Sequence, residues 1–207
     1  MRFIIYLIIG SLMVSCTKNK YEDPIDGPNI LDFIEDENFK EYLIEYTFEG
    51  RTYASLKDAA KVNRINADCG NIYSLKGIEF FTNITNLHCE NSELTELDLS
   101  HNINLESLYC PNNKIVNLDL SMNKKLNFVD CARNKISSLK LSMNNDLERL
   151  DCYNNELTTL DLSGCSKLTT LNCFGNFFKE RSIKIHKNIH KYSVLFDDLD
   201  NPIYYID

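Results

Sequence analysis

Residues 147 to 167 read LERLDCYNNELTTLDLSGCSK, and the cysteine inside them recurs at a fixed step. Moving by 21 from Cys152 reaches Cys131, Cys110 and Cys89 in one direction and Cys173 in the other. After a one-residue trim, three neighbouring stretches align to it without gaps: ITNLHCENSELTELDLSHNIN from Ile84, NLESLYCPNNKIVNLDLSMNK from Asn104 and KLNFVDCARNKISSLKLSMNN from Lys125. The shared pattern is LxxLxCxxNxLxxLDLSxNxx. Its apolar columns include Leu87, Leu108, Val129, Leu150 and Leu171, then Leu97, Leu118, Leu139 and Leu160. Self-similarity at a period of this length marks a stacked repeat.

One such coil cannot bury enough apolar surface to offset the conformational entropy of ordering its backbone. Stacking supplies inter-coil hydrogen bonds and shared burial, so the coils should form a solenoid with capped ends. In LxC the Leu and Cys are two apart on a strand and point inward together, while the residue between them faces out. With strands near Cys69, Cys89, Cys110, Cys131, Cys152 and Cys173, a sheet about 25 Å wide is expected at ~4.8 Å per strand.

These residues resemble the leucine-rich repeat family, in its 21-residue bacterial subclass of two nested half-repeats. The resemblance is close over residues 84 to 178 and looser from 65 to 83; repeats are assigned to 67–178. It implies a leucine-rich repeat solenoid of short parallel β-strands with a small helical N-terminal cap and a β-rich C-terminal cap. Residues 30–66 look like the helical cap, where Phe39, Leu43 and Tyr46 share a face behind an Asp36 N-cap and Ser55 and Asp58 have capping-box spacing. Relatives often carry a calcium-like loop here; EYTFEGRTYASL lacks the spaced Asp and Asn ligands, which argues against calcium. Residues 179–207 are expected to close the far end: Arg181 interrupts the Leu97 column, and KYSVLFDDLDNPIYYID alternates like a hairpin.

The cysteine row reads as packing, because free cysteine behaves as a small, readily buried apolar residue. Side chains stacked in parallel have the wrong mutual orientation for disulfides, and five leave one over. Zinc asks for four ligands around a point, and catalysis for an exposed thiolate beside a base. Cys165 occupies the position of Asn102, Asn123 and Asn144, whose side chains would satisfy backbone groups at each turn. No metal, cofactor or catalytic residue is implied.

The outward face of the LxC strands carries a central column of His88, Tyr109, Asp130, Asp151 and Asn172. A further outward column holds Asn91, Asn112, Arg133, Asn154 and Gly175. Aromatic and Arg side chains anchor interfaces. Tyr109, Phe128, Asp130, Arg149, Asp151, Tyr153 and Phe174 are therefore the candidate partner-binding residues, for a protein or glycan. A solvated face without a partner, an envelope spacer, is the competing reading. Asp130 and Asp151 sit in one column on neighbouring strands, at a spacing reminiscent of retaining glycosidases. A shallow sheet with Arg149 and Arg133 nearby argues instead for a recognition spot or solvated carboxylates. On the other strand set, Asp98, Asp119, Lys140 and Asp161 read as a solvated rib.

The formal charge is −8, which argues against nucleic acid as a partner, since phosphate neutralisation needs clustered Lys and Arg. The late cations Lys179, Arg181, Lys184, Lys187 and Lys191 read as a solvated end. Residues 1–15 begin with Arg2 and continue as an apolar run too short to span a bilayer, as an export signal does. MVSC resembles the lipobox of bacterial lipoproteins, with Met13 where Leu is usual. The resemblance implies lipidation at Cys16, a polar tether over 16–29 and an outer-membrane lipoprotein facing the periplasm or the outside, acting as a monomer. A secretory peptide cut nearby, discarding Cys16, or a tail-less membrane anchor fits the same residues.

Overall fold

A computed structural model of the chain describes residues 27–187 apart from 69, 70 and 142, together with the backbone of the strands Val194–Leu195 and Ile203–Ile206. The signal segment, Cys16, most of the tether and Cys69 lie outside the described residues. The fold is a succession of short parallel strands, coil upon coil, as the 21-residue phase requires. Strands β1 (Arg64–Asn66), β2 (Asn86–His88), β3 (Ser107–Tyr109), β5 (Phe128–Asp130), β7 (Arg149–Asp151), β9 (Thr170–Asn172) and β11 (Val194–Leu195) form one seven-stranded sheet in that order. A second strand set comprises β4 (Asn117–Asp119) paired with β6 (Ser138–Lys140), and β8 (Leu160–Leu162), β10 (Ile183–His186) and β12 (Ile203–Ile206) paired in sequence. Every pairing is parallel.

Between the two strand sets lies one continuous core. Leu87, Leu108, Val129, Leu150 and Leu171 are fully buried, as are Cys89, Cys110, Cys131, Cys152 and Cys173. None of the described cysteines is disulfide-bonded. Burial raises the Cys89 thiol far above its ordinary pKa and Cys165 to about 12, the signature of an inert, packed thiol.

Two asparagine ladders hold the turns. Asn123 Nδ2 donates to the carbonyls of Leu99 and Asn102 in the preceding coil, and Asn144 Nδ2 donates likewise to Leu120 and Asn123. Cys165 is buried at the next rung. The second ladder is Asn113, Asn134, Asn155 and Asn176, each donating to a cysteine carbonyl in its own coil and to one in the coil before. Their Oδ1 atoms accept from the N–H groups of Leu94, Ile115, Ile136 and Leu157. Buried backbone groups in the turns are thereby paired, as a dry interior demands.

Several expectations are corrected. The first strand is Arg64–Asn66, with Asn66 opposite His88, so buried Ala67 stands where later coils have cysteine. In the cap, Asp36 does cap the helix Glu37–Tyr42 by accepting from Phe39 N–H, and Ser55 and Asp58 form a reciprocal capping box. Tyr46, however, does not share the buried face: residues Leu43–Thr47 widen into a π-type turn, closed by Phe48 N–H donating to Leu43 O. Tyr46 swings out to 66% exposure and Phe48 enters the core instead. Among the described residues β11 and β12 do not pair with each other as a hairpin. β11 joins the edge of β9 and β12 the edge of β10, both in parallel, so the coil continues and extends both sheets. Arg181 takes a left-handed conformation (φ 58°). The strand then resumes two residues late, with Ile183 opposite Leu160.

Candidate functional site

The outward column of the seven-stranded sheet follows the strand register: Tyr109 stands opposite Asp130, Asp130 opposite Asp151, and Asp151 opposite Asn172. Adjacent rungs are ~4.8 Å apart, close enough for each side chain to shape its neighbours. Of the two readings left open for this pair, a recognition spot or solvated carboxylates, the second fails. Asp130 is 8% exposed and Asp151 3%, because bulky neighbours on the same face close over them.

Those neighbours fall into two groups. On one side Tyr109 stacks on Phe128 with ring centroids 6.2 Å apart, His88 lies 5.5 Å from Tyr109, and Arg149 sits 5.7 Å over Phe128. On the other, Tyr153 stacks on Phe174 at 4.9 Å and Arg133 lies 5.8 Å over Tyr153. The Tyr109–Phe128 contact is the diagonal one of a parallel pair, since Phe128 is in register with Ser107. Such diagonal reach is available to aromatic side chains.

Between the two stacks the polar groups are unevenly served. Arg149 Nε donates to Asp151 Oδ2 at 2.7 Å, and this bond raises the Arg149 pKa. Asp130 Oδ1 accepts from Ala132 N–H at 3.0 Å. Burial nonetheless pushes the Asp130 pKa above its ordinary value; the Ala132 bond opposes this and the Asp151 charge adds to it. Desolvation, then Asp130, also raises the Tyr109 pKa. Asp151 Oδ1 and Asn172 Oδ1 are buried acceptors without a hydrogen-bond partner among the described residues. Both acceptors lie beneath the surface between the aromatic walls, so an N–H or O–H donor reaches them only once the covering side chains move.

All seven candidate residues lie on this face; contact or register joins Tyr109, Phe128, Asp130, Arg149 and Asp151, while Tyr153 and Phe174 stack as a separate pair. The expected Arg133 role as a neutralising partner changes: its guanidinium rests on the Tyr153 ring. The column Asn91, Asn112, Arg133, Asn154 and Gly175 has a backbone origin, with φ between 51° and 65° throughout. Asn and Gly are the residues that tolerate this left-handed conformation, so their recurrence at one phase signals a turn. At Gly175 a Cβ would come within 2.1 Å of Asn154 Oδ1, so a side chain there requires the Asn154 amide to turn aside. On the second strand set, Asp119 pairs with Lys140 and Asp161 with Lys184. That exposed rib is largely self-neutralised.

No group of three or more His, Cys, Asp or Glu side chains suited to a metal ion occurs among the described residues. No helix among them is long and apolar enough to cross a membrane.

No protein-family model and no curated protein matches the sequence. Solved structures do. The functional domain of InlJ from Listeria monocytogenes, described as including a cysteine ladder, is 28% identical with a TM-score of 0.57, over 86% of this chain and 49% of that one. An internalin, inlF, from Listeria monocytogenes has a TM-score of 0.66 at 18% identity, over 86% of this chain and 57% of its own. A leucine-rich repeat protein of Leptospira interrogans has a TM-score of 0.55 at 20% identity, over 61% and 34%. The chain spans about half the length of the first two. Its stack of parallel coils matches these neighbours, and the fold is a leucine-rich repeat solenoid.

Proposed function

We propose that the chain is a non-enzymatic binding protein of the bacterial cell envelope, held to the outer membrane by a lipid on Cys16, that engages a protein or glycan partner through the seven-stranded face. The observation that carries this reading is the pair of aromatic stacks flanking Asp130 and Asp151, with buried acceptors left over between them. Interfaces concentrate their energy in such desolvated aromatic and Arg clusters. The leucine-rich repeat fold supports a scaffold for protein interaction, since a solenoid presents a wide surface whose outward residues owe nothing to the core. Hydrolysis by Asp130 and Asp151 is disfavoured by the Arg149 ion pair, which ties up one of the two carboxylates.

The test is a cross-linking pull-down from intact cells with wild type and a triple variant, Tyr109→Ser, Phe128→Ser and Tyr153→Ser. Loss of the captured partner with little change in the thermal transition supports the proposal. A partner retained by the triple variant excludes this face. Protease shaving of intact cells reads the orientation of the domain, and mass analysis of the mature N-terminus reads lipidation at Cys16.

A further inference from the structure

A second concavity lies away from the aromatic face, where the N-terminal cap meets the second strand set. Its volume is about 580 Å³, within the ~300–1,000 Å³ range of sites that hold drug-sized ligands. It arises from a failure of the repeat. Stepping back 21 from Glu96–Asp98 gives Leu75–Gly77, yet at Gly77 the chain turns left-handed (φ 104°) into the 3-10 helix Ile78–Phe80. The first coil therefore departs from the path of the coils that follow it, and the cap residue Phe33 lines the opening.

The groove has an apolar wall and an acidic rim. Phe33 and Phe80 meet in a tilted ring contact, 5.9 Å between centroids, and Leu75, Ile78 and Leu97 complete the apolar lining. Four carboxylates line it as well: Glu79, Glu96, Asp98 and Asp119. Against them stand Lys76 and His101, and Asp119 is already paired with Lys140. Lys76 is paired with Glu35, which is outside the lining, and its charge also reaches Glu79 and Glu96, so one cation is shared among three carboxylates. Ser100 N–H holds the Asp98 carboxylate in place, and Ser121 does the same for Asp119. The rim is thus a fixed negative field beside apolar surface.

We infer that this groove is a second binding site, for a partner-protein segment that sets a Lys or Arg side chain beside an aromatic or aliphatic one. Charge complementarity selects the cation, and the Phe33–Phe80 wall selects its apolar neighbour. An acidic or neutral segment would leave Glu79, Glu96 and Asp98 outnumbering the nearby Lys76. An anionic membrane surface would be repelled.

The probe is the capped peptide acetyl-Leu-Arg-Phe-Lys-amide, titrated into the full chain by calorimetry and followed by side-chain NMR. Saturable binding is expected, at least ten-fold weaker for acetyl-Leu-Glu-Phe-Glu-amide and at least five-fold weaker for the variant Glu96→Gln with Asp98→Asn. Both substitutions keep the size and the acceptor oxygen of the parent residue, and Asn can still accept from Ser100. Shifts should map to Phe33, Phe80 and Leu97, and the triple variant of the aromatic face should bind the peptide normally, which separates this site from the function proposed above. Absence of saturable binding, equal affinity for the two peptides, indifference to the double substitution, or shifts at Phe128 and Tyr153 would each overturn the inference. So would spermine binding as tightly as the peptide, since that would reduce the groove to a patch of charge.

Discussion

Replacing Asn134 by Ala tests the bracing of the coils at one rung. Asn134 Nδ2 donates to Cys110 O at 3.0 Å, Cys131 O at 3.1 Å and Ala132 O at 3.2 Å, and its Oδ1 accepts from Ile115 N–H at 3.0 Å. The two cysteine carbonyls are protected from complete loss. Cys110 O also accepts from Asn113, and Cys131 O also accepts from Asn155. Ile115 N–H has no such second partner among its described bonds, so it is the group left orphaned, at about 1–3 kcal/mol. A small cavity where the amide stood adds to this, for a total of about 2–4 kcal/mol. Urea unfolding should read the loss, with hydrogen exchange showing the Ile115 amide selectively deprotected. Asn134→Asp should be worse than Ala, since it can accept from Ile115 but sets a carboxylate against three carbonyl oxygens. Asn127→Ala, an exposed position, should stay within about 0.5 kcal/mol. A loss below about 0.5 kcal/mol at Asn134, or tolerance of Asp, would refute the bracing argument.

Gly77→Ala should destabilise the junction of cap and repeats by about 2 kcal/mol or more, because a Cβ meets Ile34 Cδ1 at 2.1 Å and the φ of 104° is strained for any side chain. Ile34→Val in the same chain should recover part of the loss, read as a non-additive double-mutant cycle in thermal unfolding. Asp130→Asn should raise Tm at pH 7. The folded-state pKa of Asp130 is raised by burial, so its ionised form destabilises the native state fully above that pKa. As pH falls through the raised pKa and below the ordinary 3.8, wild type should regain parity with the variant. An advantage that is constant across pH 3 to 7 would contradict the assignment.

The inward half of the molecule was legible because it is written in side-chain chemistry at one phase. Leucine and cysteine two apart on a strand have a single dry side to face, and Cys131 or Leu150 needs no neighbour to reveal it. The outward half was legible as a surface but not as a site. Asp130 and Asp151 become buried through the packing of side chains such as Phe128 and Arg149 on their own two strands, a property of rotamers. The termini were obscured by shifts in register. Ala67 replaces the ladder cysteine after a step of 22 from Cys89, and a two-residue delay at Arg181 hides the continuing coil. Tyr46 misled for a local reason, since the π-type turn at Leu43–Thr47 breaks the 3.6-residue spacing on which its face was assigned.

The claim under all of this is that the 21-residue step sorts side chains into a dry interior and a wet exterior. The direct measurement is the reaction of the native protein, with Cys16 and Cys69 replaced by Ser, with a bulky water-soluble disulfide reagent such as Ellman's. Cys89, Cys110, Cys131, Cys152, Cys165 and Cys173 are all fully buried, and should stay unreacted in buffer and titrate together once urea unfolds the chain. Rapid reaction at most of the six in the native state would contradict the sorting.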